Sequence, residues 1–120
     1  MGSIRSFKDL EIWQEGIQLA DRVYDVTGRF PREEQFGLTS QMRRAAVSVP
    51  ANIAEGQARR SRNEYRQFLY VGLGSLAELE TLGIIAQKRH FISEEQLREL
   101  FVNAVASIRN KTLALLRRIS

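Results

Sequence analysis

A chain of 120 residues with no cysteine is long enough to bury one core unaided, and it cannot build a disulfide, a thiolate nucleophile or a cysteine metal site. Its net charge is +4, and fifteen of its eighteen basic residues are arginine. Arginine's planar fork suits phosphates, carboxylates and fixed ion pairs, so the bias points to a polyanion or to an ionic subunit interface without choosing between them.

Met1 to Ser6 fits the short myristoylation pattern, one that recurs by chance and whose single acyl chain anchors weakly. No charged-then-apolar secretory pattern opens the chain, and Glu78 and Glu80 interrupt the most apolar window, Phe68 to Ala86. The expectation is a cytoplasmic protein without a membrane span. Long apolar series at spacings of three and four, with two prolines and no sustained alternation, predict helices throughout a single domain, residues 1–120.

The first helix is predicted from about Lys8 to Gly28, with Ser6 as N-cap and Asp9 in the first turn. Leu10, Trp13, Ile17, Ala20 and Tyr24 form one stripe, widened by Ile12, Leu19, Val23 and Val26, and Gly28 and Pro31 mark the stop. A second helix starts between Glu34 and Leu38 and carries Leu38, Met42, Ala45 or Ala46, Val49, Ile53 and Gly56. Pro50 removes a hydrogen bond to the Ala46 carbonyl and costs roughly 3 kcal/mol against alanine, but the apolar phase is kept across it. A kink rather than two helices is therefore expected.

Ser61-Arg62-Asn63-Glu64 is a capping box that opens a third helix from about Arg62 to Arg89. Its inner stripe is Leu69, Gly72, Leu76, Leu79, Gly83 and Ala86, with Leu73 and Ile84 on one flank and Val71 and Leu82 on the other. So little polar face requires either the deepest burial in the bundle or a subunit interface. Ser93-Glu94-Glu95-Gln96 opens a fourth helix through Leu97, Phe101, Ala104, Ile108, Leu115 and Ile119. Together these elements predict an all-α, antiparallel up-down-up-down four-helix bundle, with the second helix kinked at Pro50.

Two-metal bundle sites need Glu-x-x-His on two helices, and the only histidine, His90, has Gln87 three residues before it. His90 reads instead as a helix C-terminal residue. Ribonucleases of the HEPN type place an arginine five to seven residues before a histidine, where this chain has Gly83, Ile84 and Ile85. Gly72-Leu73-Gly74-Ser75-Leu76-Ala77 matches a dinucleotide-binding pattern but lies inside a helix, so it reads as small residues permitting close helix approach. Glu55 and Glu78 lie near Ser48, Asn52 and Ser75, where ion pairs with Arg43 or Arg44 are expected ahead of a catalytic pair. The expectation is no enzyme activity, no cofactor and no metal.

The segment 35–89 holds eight basic against four acidic side chains. Within it, Arg59, Arg60, Arg62 and Arg66 crowd one turn beside Tyr65, with Glu64 opposing. A phosphate-binding patch, on which Tyr65 or an arginine plane stacks on a base, stands against a solvated bundle end or intersubunit salt bridges. Arg43, Arg44, Arg117 and Arg118 are auxiliary candidates. The expected ligand is RNA or DNA; the alternative is an oligomeric scaffold or partner-protein module whose arginines serve subunit contacts.

Gly37-Leu38-Thr39-Ser40-Gln41, Arg43 to Pro50, Asn52-Ile53-Ala54-Glu55-Gly56 and Gly74-Ser75-Leu76-Ala77-Glu78-Leu79-Glu80 resemble the bacterial four-helix bundle family encoded in 23S rRNA intervening sequences, also labelled S23 ribosomal protein. Phe7 to Gln14 resembles the start of that family. The family is itself similar to the accessory variability proteins of diversity-generating retroelements, which bind nucleic acid and a reverse transcriptase. The resemblance implies a four-helix bundle, a homopentamer, no enzyme activity, and nucleic acid, a reverse transcriptase or another protein as partner. Ala58 stands where the family often has glycine.

Overall fold

A computed structural model describes residues 6–119, and every regular element among them is helical. All of the myristoylation pattern except Ser6 lies outside the described residues. Ser6 and Asp9 form a reciprocal capping box, but it closes a separate 3-10 turn, Phe7–Asp9. Leu10 is extended (φ −76°, ψ 127°), so helix α1 begins at Glu11 rather than Lys8 and runs Glu11–Thr27.

The buried stripe of α1 is Ile12, Gly16, Leu19, Val23 and Thr27, rotated from the one that apolar spacing favours; Ile17 and Tyr24 are exposed. Two non-apolar members explain the rotation. A Cβ on Gly16 would lie 3.2 Å from Pro50 Cβ, so this glycine lets the second helix approach. Thr27 satisfies its buried hydroxyl by donating to the Val23 carbonyl at 2.7 Å.

After a 3-10 turn at Arg32–Glu34, α2 runs Leu38–Gln57 and continues through Pro50 without dividing. The proline ring is buried against Gly16. Helix α3 runs Arg62–Lys88 with all six inner-stripe residues buried. By length and composition it could cross a membrane, but here that stripe forms bundle core. Ser61 Oγ accepts from Glu64 N at 3.3 Å, while the Glu64 carboxylate lies 3.6 Å from Arg59.

The α3 glycines divide. A Cβ on Gly83 would fall 2.5 Å from Phe101 Cγ, whereas at Gly72 and Gly74 it would meet nothing within 4 Å. Close helix approach thus accounts for Gly83, and for Gly56 against Phe68 and Tyr65, but not for the pair in the dinucleotide-like pattern.

Helix α4 is composite: an α turn at Glu94–Gln96 opened by the Ser93 capping box, a π-helical stretch at Leu97–Asn103, and an α-helical stretch at Ala104–Arg118. The wider π turn shifts the phase, so consecutive Leu100 and Phe101 are both buried and the stripe continues through Val105, Ile108, Thr112 and Leu116. Leu97, Ala104, Leu115 and Ile119, expected at its centre, lie partly buried on the flank.

Helix α2 packs between α1 and α3, and α4 closes the ring against α1 and α3, giving a bundle of 43 × 25 × 21 Å. Burial of side chains such as Leu19, Met42, Ile53, Leu76 and Phe101 contributes about 1.5–3 kcal/mol each, which is what holds the ends in place.

Candidate nucleic-acid interface

The antiparallel order gathers the start of α1, the end of α2, the start of α3 and the end of α4 at one end of the bundle. Arg59, Arg60, Arg62, Arg66, Arg117 and Arg118 all belong to that end. Their surroundings divide them into two groups.

Arg59 is held by carboxylates: Nη2 donates to Glu55 Oε1 at 3.3 Å, Nη1 lies 3.6 Å from Glu64 Oε2, and the guanidinium sits 5.0 Å from the Phe68 ring centroid. Glu55 therefore pairs with Arg59, not with Arg43 or Arg44. Arg66 donates to the Leu116 carbonyl in the last turn of α4 at 2.6 Å, and its Nη2 is 3.4 Å from Tyr70 Oη. Arg43 is equally engaged, donating to Thr27 Oγ1 at 2.8 Å with its guanidinium 4.5 Å from the Tyr24 ring centroid. It ties α2 to the last turn of α1.

Arg60 and Arg62 are exposed, and among the described residues no carboxylate lies within ion-pair distance of either. The same holds for Arg117 and Arg118 in the last turn of α4, which border a groove of about 540 Å³ with Leu10, Glu11 and Lys111. Arg62 is the first residue of α3, where the helix dipole is positive. A cation there is unfavourable to the helix by about 0.3–1 kcal/mol and helps only if an anion arrives from outside.

Arg44 is also exposed and without an ion pair among the described residues, but it lies apart. It lines a groove of about 440 Å³ between α2 and α3 with Gln41, Ser48, Ser75 and Glu78. Below it Ser48 Oγ and Ser75 Oγ are 2.8 Å apart, and Asn52 Nδ2 donates to the Ser48 carbonyl at 2.7 Å. Those hydroxyls form a satisfied polar layer.

Tyr65 is half-buried against Gly56 rather than presented to a base. Burial raises its pKa above the usual tyrosine value, opposed by the charge of Arg118. Tyr70 is the exposed aromatic ring here, and spacing alone would have found it: it lies four residues after Arg66, on the same helical line.

His90 is exposed with φ 64°, the left-handed residue that ends α3: Phe91 N donates to the Ala86 carbonyl and His90 N to the Gln87 carbonyl, both at 2.9 Å. Among the described residues no group of three or more His, Cys, Asp or Glu could hold a metal.

Residues 8–111 match the model of the 23S rRNA-intervening sequence protein family. The chain belongs to that family. Among solved structures it is similar to a protein with unknown function from the S23 ribosomal protein family of Bacteroides thetaiotaomicron, with a TM-score of 0.81 and 20% identity over 88% of this chain and 95% of that one. At that identity the likeness speaks for the fold of the intervening-sequence proteins, not for a ligand. No match was found among curated proteins.

Proposed function

We propose that this intervening-sequence protein is a non-enzymatic binder of RNA or DNA, and that Arg60, Arg62, Arg117 and Arg118 contact the phosphate backbone. The observation that carries this reading is Arg60 and Arg62, exposed and without an ion pair among the described residues at the positive end of α3. Arg59 and Arg66 act behind them, raising the local potential while their hydrogen bonds stay within the fold.

A titration of labelled RNA and DNA oligonucleotides, with light scattering alongside, tests it. The double variant R60E/R62E should keep the mass of the wild type and lose affinity. Unchanged affinity in R60E/R62E would remove the proposal.

A different surface supports self-association, the other part of this reading. Phe36 is 90% exposed, Ile17, Tyr24, Val47, Val71 and Ile85 are exposed around α2, and Gly74 faces open space. Such an apolar face suits contact with further copies of the chain and leaves the arginine end free. The substitution Phe36→Glu, which puts a charge into the apolar face, should lower the mass in light scattering; an unchanged oligomer would count against this face.

A further inference from the structure

We infer that Tyr70 is a base-stacking platform, so that the ligand of the arginine end is a strand with unpaired bases rather than a duplex. This rests on the backbone-binding reading above. Tyr70 is 53% exposed, yet its ring is not loose. Arg66 Nη2 is 3.4 Å from its hydroxyl, the guanidinium lies 5.8 Å from the ring centroid, and Arg66 is itself fixed at 2.6 Å to the Leu116 carbonyl of α4. A ring already ordered loses little further freedom when a base settles on it.

The other aromatic rings on this side of α3 are spoken for. Tyr65 and Phe68 are both half-buried, the first against Gly56 and the second beneath Arg59, whereas Tyr70 is exposed. Tyr70 instead continues a line of cations. Arg62, Arg66 and Tyr70 follow at intervals of four along α3, spanning about 12 Å, and Arg117 is next in sequence to the carbonyl that Arg66 holds. A strand whose phosphates lie along the arginines therefore brings its bases past the ring.

The chemistry selects the strand. In a duplex the base faces are hidden in the stack, whereas an unpaired base offers its π-face to an aromatic side chain irrespective of sequence. A patch of arginines alone would favour the duplex, whose backbone charge is denser. Preference for the single strand is thus the mark of the ring and not of the charge.

The test compares three labelled polymers of equal length by fluorescence anisotropy: a single strand, its duplex, and an abasic phosphodiester strand. The wild type should prefer the single strand to the abasic polymer by about five- to a hundredfold. Tyr70→Phe should keep that preference; Tyr70→Ser should abolish it while leaving the salt dependence and the thermal melt unchanged. Equal affinity of the wild type for the single and abasic strands, or a preference that survives Tyr70→Ser, overturns the stacking role while salt-dependent binding stands. A Tyr70→Ser variant that changes the mass in light scattering and leaves the preference intact would also overturn it, assigning the ring to a protein contact. Loss of salt-dependent binding to every polymer would instead remove the backbone-binding reading beneath it.

Discussion

The two ends of the bundle differ in how their charges are partnered. At one, the α1–α2 and α3–α4 connections close on each other through Phe30 and Phe91, whose centroids are 5.4 Å apart, with Ile92 buried beside them. Its carboxylates stand where helix dipoles favour them: Glu94 and Glu95 open α4, and Glu34 Oε1 accepts from Leu38 N at 3.1 Å to cap α2. At the other end Glu11 and Glu64 likewise open α1 and α3, but Arg60 and Arg62 add cations at the positive start of α3 that make no ion pair among the described residues. One end is arranged for stability, and the other accepts an electrostatic penalty that folding does not require. Local rules broken without internal compensation are where a ligand is to be sought.

The sharpest way to break that contrast is charge reversal at each end. R60E/R62E should weaken nucleic-acid binding by about tenfold to a hundredfold near 0.1 M salt, because each phosphate contact accounts for roughly 0.9 log unit per tenfold change in salt. K88E/R89E at the far end should change affinity by less than about twofold in the same anisotropy titration. Comparable losses at both ends would leave no preferred site.

Next in size are effects on packing. Gly83→Ala must push a Cβ into the Phe101 ring, which is fully buried and cannot retreat, so denaturant titration should show a loss of about 1–3 kcal/mol. Gly74→Ala should instead stabilise the isolated subunit by about 0.5–1 kcal/mol, since its Cβ meets nothing. In His90→Gly the left-handed backbone at φ 64° becomes unstrained, and thermal unfolding should report a gain of about 1 kcal/mol. That gain should come without any change in binding, because His90 belongs to the closed end.

The smallest effect concerns the seam between α1 and α4 leading from the arginine end, where Lys111 Nζ donates to Glu11 and Glu15 at 2.5 Å and Ser107 Oγ donates to Glu15 at 2.6 Å. Burial disfavours the Glu15 carboxylate, but the hydrogen bonds from Lys111 and Ser107 and the charge of Lys111 outweigh it and hold the pKa below the usual value. A depressed carboxyl pKa stabilises the fold above its unfolded value, about 4.3, and that contribution is lost as pH falls through the folded pKa. Hydrogen bonds to Glu11 and Glu15 raise the Lys111 pKa, a contribution present below about 10.4 and lost as pH rises beyond the folded value. Thermal melts from pH 6 to pH 3 should therefore fall less steeply in Glu15→Gln than in the wild type. Parallel curves would show that the cluster adds nothing.

Much of the bundle was legible in the sequence because the signals were local. The Ser93 box, the Ser61 cap, the stop after Thr27 and the α3 stripe all depend on residues within a turn or two of each other. What spacing missed depends on partners distant in the chain. The inner face of α1 is set by Gly16 meeting Pro50, and the phase of α4 by a π turn that seats Phe101 on Gly83. The arginine cluster was visible as composition, but its division was not. Arg66 and Arg43 look the same as Arg60, Arg62 and Arg44 until the Leu116 carbonyl and Thr27 are brought beside them, whereas Glu55, four residues before Arg59, was a partner that spacing could have shown.

The account rests on Arg60 and Arg62 contacting phosphate, and the salt dependence of affinity reads those contacts directly. The logarithm of the binding constant for a single-stranded RNA, plotted against the logarithm of salt concentration, should fall linearly for the wild type, by roughly 0.7 per contact. The slope should be shallower by about 1.4 or more in R60E/R62E. Identical slopes for the two proteins, or no binding by the wild type at low ionic strength, would contradict it.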